Sequence, residues 1–404
     1  MVSSCMLSKS AHLLISVGVL LVFAATAAAS PKLDTTFGDA GIAHLARLGP
    51  PVDNQVSDMA VQNDGKLLLA VKPGNNDFPE TAIRVMRLDA FGRPDSTFGA
   101  SGVASIENRL NAEAEKIVVD GRKRIYVFGG RRGSGWFAAR LLPSGAPDRR
   151  FGKRGVLTIR KSRFDSVLGI NTVRDRLQIV DYRQSAIGGR RIVRILRLND
   201  RGGLNKKFGS RGVLRIDVGG ARRVDPTDVA FNGSDILVLS NDNSKPGVVA
   251  RCRVTTVSVS RTSGTFGFSW NDLHWGPPGR RVQYCRSIDK SGVVNAVLAN
   301  NGPGGDVGIL KSSSSFTDPL LGTIWDIREL PDKSLVATGS KRGGVGAPAL
   351  ISLSYFLEPN ASFGNSGVLE LPMGRYTTHL VGNNESTYAF VGAFDDQWVV
   401  KLTN

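Results

Sequence analysis

The chain has 404 residues and a formal net charge of +17. Glycine is abundant, at 47 residues, helix-type periodicity is scarce, and the apolar runs are short and β-branched; this composition excludes a helical protein and reads as all-β. The charge is unevenly spread, since 27 Lys and Arg stand against 7 Asp and Glu between Asp120 and Arg223, a net +20 in one stretch.

The N-terminus reads as an export signal. Lys9 precedes an apolar run from Leu13 to Phe23, and Ala27-Ala28-Ala29 follows as a small-residue cleavage site. The run is short for a membrane anchor and no charged stop-transfer flank follows it. Residues 1–29 are therefore expected to be a secretory signal peptide and 30–404 a single domain, secreted or held in the cell envelope. Cleavage removes Cys5 and leaves Cys252 and Cys285. An even count in an exported chain favours a disulfide, with two separate thiols as the open alternative.

The mature chain is organised around one repeated stretch, Phe-Gly-x-x-Gly. It occurs at Phe37–Gly41, Phe98–Gly102, Phe151–Gly155, Phe208–Gly212 and Phe363–Gly367. Each copy runs into a β-branched residue: Ile42, Val103, Val156, Val213 and Val368. The first four copies are 61, 53 and 57 residues apart, and the 155-residue gap from Phe208 to Phe363 has room for two worn ones. A period in the fifties with strand-like content predicts a propeller.

One unit shows the pattern. Asp58 to Gln62 is a short strand, Asn63-Asp64-Gly65 turns it, and Lys66 to Val71 returns as a buried strand. Ile83 to Leu88 is the third strand, and a turn through Gly92-Arg93-Pro94 leads to Phe98-Gly99 and a fourth strand at Val103. The hairpin turn recurs seven times, at Asp64-Gly65, Asp120-Gly121, Arg174-Asp175, Asn232-Gly233, Ser291-Gly292, Asp332-Lys333 and Asn383-Asn384. The expected fold is a seven-bladed β-propeller of four-stranded antiparallel blades. The chain ends on the third strand of its last unit, Trp398 to Leu402, and begins with the fourth-strand motif at Leu33 to Gly38. The N-terminal strand is thus expected to complete the last blade and cover its edge.

Arg87 and Arg140 each precede a Leu on the third strand, and each has an Asp eight residues on, Asp95 and Asp148. The register predicts an exposed charge pair in each, and a third between Lys401 and Asp34; Arg197 with Asn205 breaks the pattern. Leu-Asp-x-x-Phe-Gly-x-x-Gly-Val, the Asp-Gly-Lys hairpin and the Arg-Leu strand together resemble the delta-60 repeat of bacterial exported proteins. The resemblance covers essentially all of 33–402. It implies a β-propeller of unknown function and export, and it brings no catalytic residues.

No catalytic constellation stands out. His44, His274 and His379 fall in different units without metal spacing, so neither metal nor cofactor is expected. Two departures from the repeat are candidate ligand contacts. One is Trp270-Asn271-Asp272-Leu273-His274-Trp275, placed by the repeat where a fourth strand crosses to the next blade; aromatics beside polar groups suit a sugar or a partner side chain. The other is a set of Arg doublets, Arg131-Arg132, Arg190-Arg191 and Arg222-Arg223, expected in loops on that same face, with Trp136 beside the first. Together they suit an acidic envelope polymer, a glycan or a protein partner. Nucleic acid is disfavoured for want of interleaved aromatics. The sequence reads as an exported binding or scaffolding module and not an enzyme. A propeller lyase or hydrolase acting on polysaccharide, and a purely structural surface protein, are the alternatives.

Overall fold

The computed structural model describes residues 31–404 apart from 46–55, 72–81, 108–112, 132–134, 160–165, 185–190, 219–223, 234, 243–250, 260–265, 274–280, 291–292, 300–305, 312–313, 318–320, 342–346, 375 and 393–395. The expected signal peptide lies outside the described residues.

The chain opens with two short strands, β1 (Lys32–Leu33) and β2 (Ile42–His44). The first sheet is β3 (Val56–Val61), β4 (Leu67–Val71), β5 (Ala82–Leu88) and β6 (Val103–Glu107). The second is β7 (Glu113–Val119), β8 (Ile125–Arg131), β9 (Gly135–Leu141) and β10 (Val156–Ile159). The third is β11 (Ser166–Val173), β12 (Arg176–Gln184), β13 (Arg191–Arg197) and β14 (Val213–Asp217). The fourth is β15 (Val224–Asn232), β16 (Asp235–Asp242), β17 (Arg251–Val259) and β18 (Phe266–Leu273). The fifth is β19 (Arg281–Ile288), β20 (Val294–Ala299), β21 (Asp306–Lys311) and β22 (Ser314–Thr317), and the sixth is β23 (Leu321–Glu329), β24 (Leu335–Lys341), β25 (Pro348–Leu353) and β26 (Val368–Glu370). Each pairs its strands antiparallel in chain order, the four-stranded blade of a β-propeller.

Among the described residues six sheets, not seven, have four strands. The terminal sheet has five: β27 (Tyr376–Gly382), β28 (Ser386–Gly392) and β29 (Gln397–Thr403), with β1 and β2 both paired to β29. In the first, second, third and sixth sheets the residue before the motif's Asp or Asn (Pro94, Pro147, Leu204, Pro359) makes a single bridge to the end of the third strand. In the terminal sheet Leu33 takes that place and the pairing extends over two residues, Lys32 with Thr403 and Leu33 with Leu402.

The repeated motif holds neighbouring sheets together. Its phenylalanines Phe37, Phe98, Phe151, Phe208 and Phe363 are all buried. The following glycine adopts a left-handed backbone, φ 56° at Gly152, where an added Cβ would lie 2.2 Å from the Val156 carbonyl oxygen. That conformation turns the glycine N–H outward to the neighbouring sheet. Gly38 donates to the Phe91 carbonyl at 2.8 Å, Gly99 to Ser144 at 2.8 Å and Gly152 to Arg201 at 3.0 Å. Apolar clusters fill the same seams, among them Phe98 and Ile83 with Ile117 and Val127, and Phe37 and Val399 with Met59 and Leu69.

All three expected charge pairs form. Arg87 Nε meets Asp95 Oδ2 at 2.8 Å, Arg140 Nε meets Asp148 Oδ2 at 2.8 Å, and Lys401 Nζ meets Asp34 Oδ2 at 2.7 Å. The two arginine pairs are buried, not exposed, with the Arg140 side chain 2% accessible, and the Lys401–Asp34 pair is largely covered. Each cation sits against a motif phenylalanine, with Arg87 4.5 Å from the Phe98 ring centre and Arg140 4.8 Å from that of Phe151. The packed ring excludes water from a pair that sequence spacing alone placed at the surface.

Candidate functional site

The described strands bring polar groups together at two places. The first is the ring axis. The innermost strands β3, β7, β11, β15, β23 and β27 each carry a register shift near their start, which throws one residue out of the ladder. The residues just after these bulges are Asp58, Lys116, Gly169, Asp228, Asp326 and His379. Three of the carboxylates reach across a seam to the next sheet. Asp58 Oδ2 accepts from Ile117 N–H at 2.9 Å, Asp228 Oδ2 from Ile288 N–H at 3.0 Å, and Asp326 Oδ2 from Leu380 N–H at 2.9 Å.

Lys116 stands among these acids. The charge of Asp58 raises its pKa most, against the effect of burial, and Asp228 and Asp326 add to it. Burial pushes the Asp326 carboxyl up to about 7, with Asp228 in the same sense and the Leu380 N–H and Lys116 opposing. Asp228 is likewise raised by burial. The four side chains are half-buried.

The second place is a groove between the second and third sheets, at the end where β7 turns into β8 and β9 connects to β10. Its volume is about 980 Å³, and Arg122, Arg149, Arg150 and Arg201 line it with Leu142 and Pro147. Below them the other cations are engaged. Arg124 Nε donates to Asp120 at 2.7 Å and its Nη2 to the Asp175 carbonyl at 2.6 Å, Arg122 pairs with Asp175 at 2.9 Å, and Arg140 is clasped by Asp148. Arg149, Arg150 and Arg201 are exposed and make no side-chain hydrogen bond or ion pair among the described residues. Their backbone is fixed, since Arg150 N–H donates to Asp148 Oδ1 at 3.1 Å and Arg201 N–H to Asn199 Oδ1 at 2.9 Å. The groove therefore offers three uncommitted guanidinium groups on a held frame, an arrangement suited to anionic oxygens.

This end of the sheets is opposite to the one the sequence singled out. Of the predicted contacts, Arg131 is the last residue of β8, opposite Gly135, and Arg191 the first of β13, opposite Gln184; both extend a ladder and neither lies in a loop. Arg191 Nε is held by Asp225 of the fourth sheet at 2.7 Å. Trp136 lies in β9 and stacks on Phe128, ring centres 5.5 Å apart, so it packs a seam. Trp270 lies inside β18 opposite Thr255, not on the crossing between sheets, because this fourth strand runs for eight residues where the others are shorter. Arg132, Arg190, Arg222, Arg223, His274 and Trp275 lie outside the described residues. Cys252 pairs with Asn241 and Leu273 in the fourth sheet and Cys285 with Ala296 in the fifth; their side chains also lie outside the description.

The groove arginines do not stand out in the sequence as departures from the repeat, because they sit within it. Arg149 and Arg150 are the two variable residues of Asp148-Arg149-Arg150-Phe151. The signal was the residue type at those positions compared copy by copy.

No protein-family model matches the chain. No curated protein matches it either. Among solved structures it is similar to the β-propeller domain of the Trilobed protease from Pyrococcus furiosus, with a TM-score of 0.49 and 9% identity over 86% of this chain and 95% of that one. It is also similar to BamB from Moraxella catarrhalis (TM-score 0.42, 12% identity, 86% of this chain and 85% of that one). A third is the acylaminoacyl peptidase of Pyrococcus horikoshii (TM-score 0.46, 9% identity), where 85% of this chain spans 52% of the other.

Proposed function

We propose that this protein is an exported, seven-bladed propeller that works as a binding module and engages an acidic envelope or extracellular component through the arginine groove. The observation that carries this is the set Arg149, Arg150 and Arg201, uncommitted over a groove of about 980 Å³. Six four-stranded sheets and a terminal sheet joining β1 and β2 to β29 support reading the ring as seven blades, with the N-terminal segment finishing the last. The charged, apolar and small-residue order of the first 29 residues supports export. The resemblance to delta-60 repeat proteins points the same way.

A polysaccharide-cleaving enzyme would need carboxylates free to exchange protons. Of the two acids lining this groove, Asp148 is held by buried Arg140 at 2.8 Å, which leaves exposed Asp200, 3.4 Å from Arg176, without a second free carboxylate beside it. Binding is the better use of the site.

The test uses surfaces carrying an acidic or a neutral polysaccharide, at low and physiological salt. The chain should bind the acidic surface, weaken as salt rises, and lose binding in Arg149→Ser/Arg150→Thr while keeping it in Arg191→Ala at the opposite end. Retention by the groove variant, or silence on every acidic surface, overturns the reading.

A further inference from the structure

The internal repeat supplies its own control for the placement of charge. Each copy of the loop has the form (Asp or Asn)-x-x-Phe-Gly-x-x-Gly, and all four variable residues of every copy are exposed. In the copies Asp34–Gly41, Asp95–Gly102 and Asn360–Gly367 none of the twelve variable residues is basic. In the second sheet they are Arg149, Arg150, Lys153 and Arg154; in the third they are Lys206, Lys207, Ser210 and Arg211. Seven of those eight are basic.

The fold of the loop does not demand this. Arg154 and Arg211 hold the same left-handed backbone, φ 55° and 56°, that Ser101 and Ser366 hold in neighbouring copies. The same conformation is reached with serine, so the cations serve something outside the loop.

The second sheet's basic loop is tied to the third sheet. Gly152 N–H donates to the carbonyl of Arg201 at 3.0 Å, and within the third sheet the turn carrying Arg201 leads to Asn205, whose N–H donates to the Arg197 carbonyl at 2.8 Å and opens the other basic loop. Arg149 to Arg154, Arg201 and Lys206 to Arg211 thus occur in that order along this end of the two sheets, and Arg149, Arg150 and Arg201 line the groove. A compact anion would need the groove alone. A strip of cations running past both of its sides fits a chain whose charges recur along its length.

We infer that the turn end of the second and third sheets is a track for a linear acidic polysaccharide, bearing carboxylate or sulfate groups and held across both sheets. This rests on the reading of the groove as an anion site. Nucleic acid is the competing polyanion, and single strands are held by stacking bases on aromatic rings. The apolar residues that line the groove are Leu142 and Pro147, neither of them aromatic.

The experiment measures affinity for one acidic polysaccharide at graded lengths, from disaccharide to polymer, and for single-stranded DNA. It compares the full chain with two loop exchanges taken from the first sheet. The groove exchange is Arg149→Ser/Arg150→Thr, and the outer exchange is Lys206→Ser/Lys207→Thr/Arg211→Ser. Both place residues that already occupy these positions in another copy, and urea midpoints close to that of the parent chain confirm folding. Polymer should bind more tightly than disaccharide and weaken with either exchange, the slope of log affinity against log salt falling by roughly one for each cation removed. Disaccharide binding should fall only with the groove exchange. If length brings no gain, or the outer exchange leaves polymer binding unchanged, the track is wrong while the groove stands. Binding of neither polymer nor disaccharide removes both, and DNA bound more tightly than polysaccharide of matched charge overturns the choice of ligand.

Discussion

A single residue difference separates the third sheet from its neighbours. Arg197 occupies the place of Arg87 and Arg140, its guanidinium 4.1 Å from the Phe208 ring centre, but Asn205 stands where the other copies have Asp95 and Asp148. Its Nε donates to Gln178 at 2.7 Å. Burial, and then the charge of Arg174, draws Arg197 down to about 10. Asn205→Asp should restore the clasp and raise stability by roughly 1–3 kcal/mol near neutral pH, the range for a charged hydrogen bond. The sign with pH follows from Asp95. Burial alone would raise its carboxyl, but hydrogen bonds from Lys66 and Thr97 and the charge of Arg87 hold it well below the usual carboxylate range. A depressed carboxyl stabilises above its unfolded value of about 4 and loses that contribution as pH falls below it. The gain in Asn205→Asp, read as a shift in urea midpoint, should therefore vanish in acid; a gain that persists there, or a loss at neutral pH, would contradict the clasp. The pairs themselves were legible because residues eight apart face one another across a hairpin. Their burial was not, since it is set by the neighbouring sheet.

At the scale of one strand, the inner edge carries features that the repeat pattern hides. The sequence located the hairpins through turn residues, and Gly65 and Gly233 do take left-handed backbone there. In the second sheet, however, Lys123 and not Gly121 holds that conformation, and in the third both Arg174 and Asp175 do. The bulges that aim Asp58, Lys116, Asp228 and Asp326 at the axis left no mark in the alternation of apolar residues, because a one-residue shift changes direction without changing composition. They have a consequence for pH. Burial lifts Asp326 to about 7 in the folded chain, whereas an unfolded aspartate titrates near 4. Between those values the folded chain binds a proton that the unfolded chain has released, so stability falls as pH rises from about 4 to about 7 and is level above it. Asp326→Asn keeps an acceptor for Leu380 N–H and removes the titration. Its urea midpoint should vary less across that window than the parent's and exceed it at pH above about 7. Parallel curves for the two chains would show that Asp326 ionises normally.

For the whole molecule, the question is how a ring of sheets is secured where the chain's two ends meet. The repeat period made a propeller legible, whereas the division of the N-terminal segment between β1 and β2, both paired to β29, left no mark in the sequence. Asp34 N–H donates to Lys401 at 2.9 Å and Lys401 N–H to Gly41 at 3.0 Å, so the Phe37-Gly38 loop bulges out between two hydrogen-bonded stretches. Phe37, Ala43 and Leu45 are buried against Met59, Leu69, Tyr388 and Val399, which belong to the first and the terminal sheets. The segment thus contributes edge pairing for β29 and apolar filling for the seam beyond it. Removing residues 31–45 should do two things. The bared edge, whose residues Val399, Val400 and Leu402 are now fully buried, should pair with other chains, so the shortened protein should self-associate. The lost burial of one phenylalanine and one leucine alone should destabilise the remainder by several kcal/mol, of order 2–5 for each such side chain. A peptide of residues 31–45 added in trans should return the protein to the parent chain's assembly state and recover its urea midpoint, because strand addition to an open edge is driven by the same hydrogen bonds. A shortened chain that keeps the parent's assembly state and unfolds at the parent's urea concentration would mean that the ring is held by its seams alone.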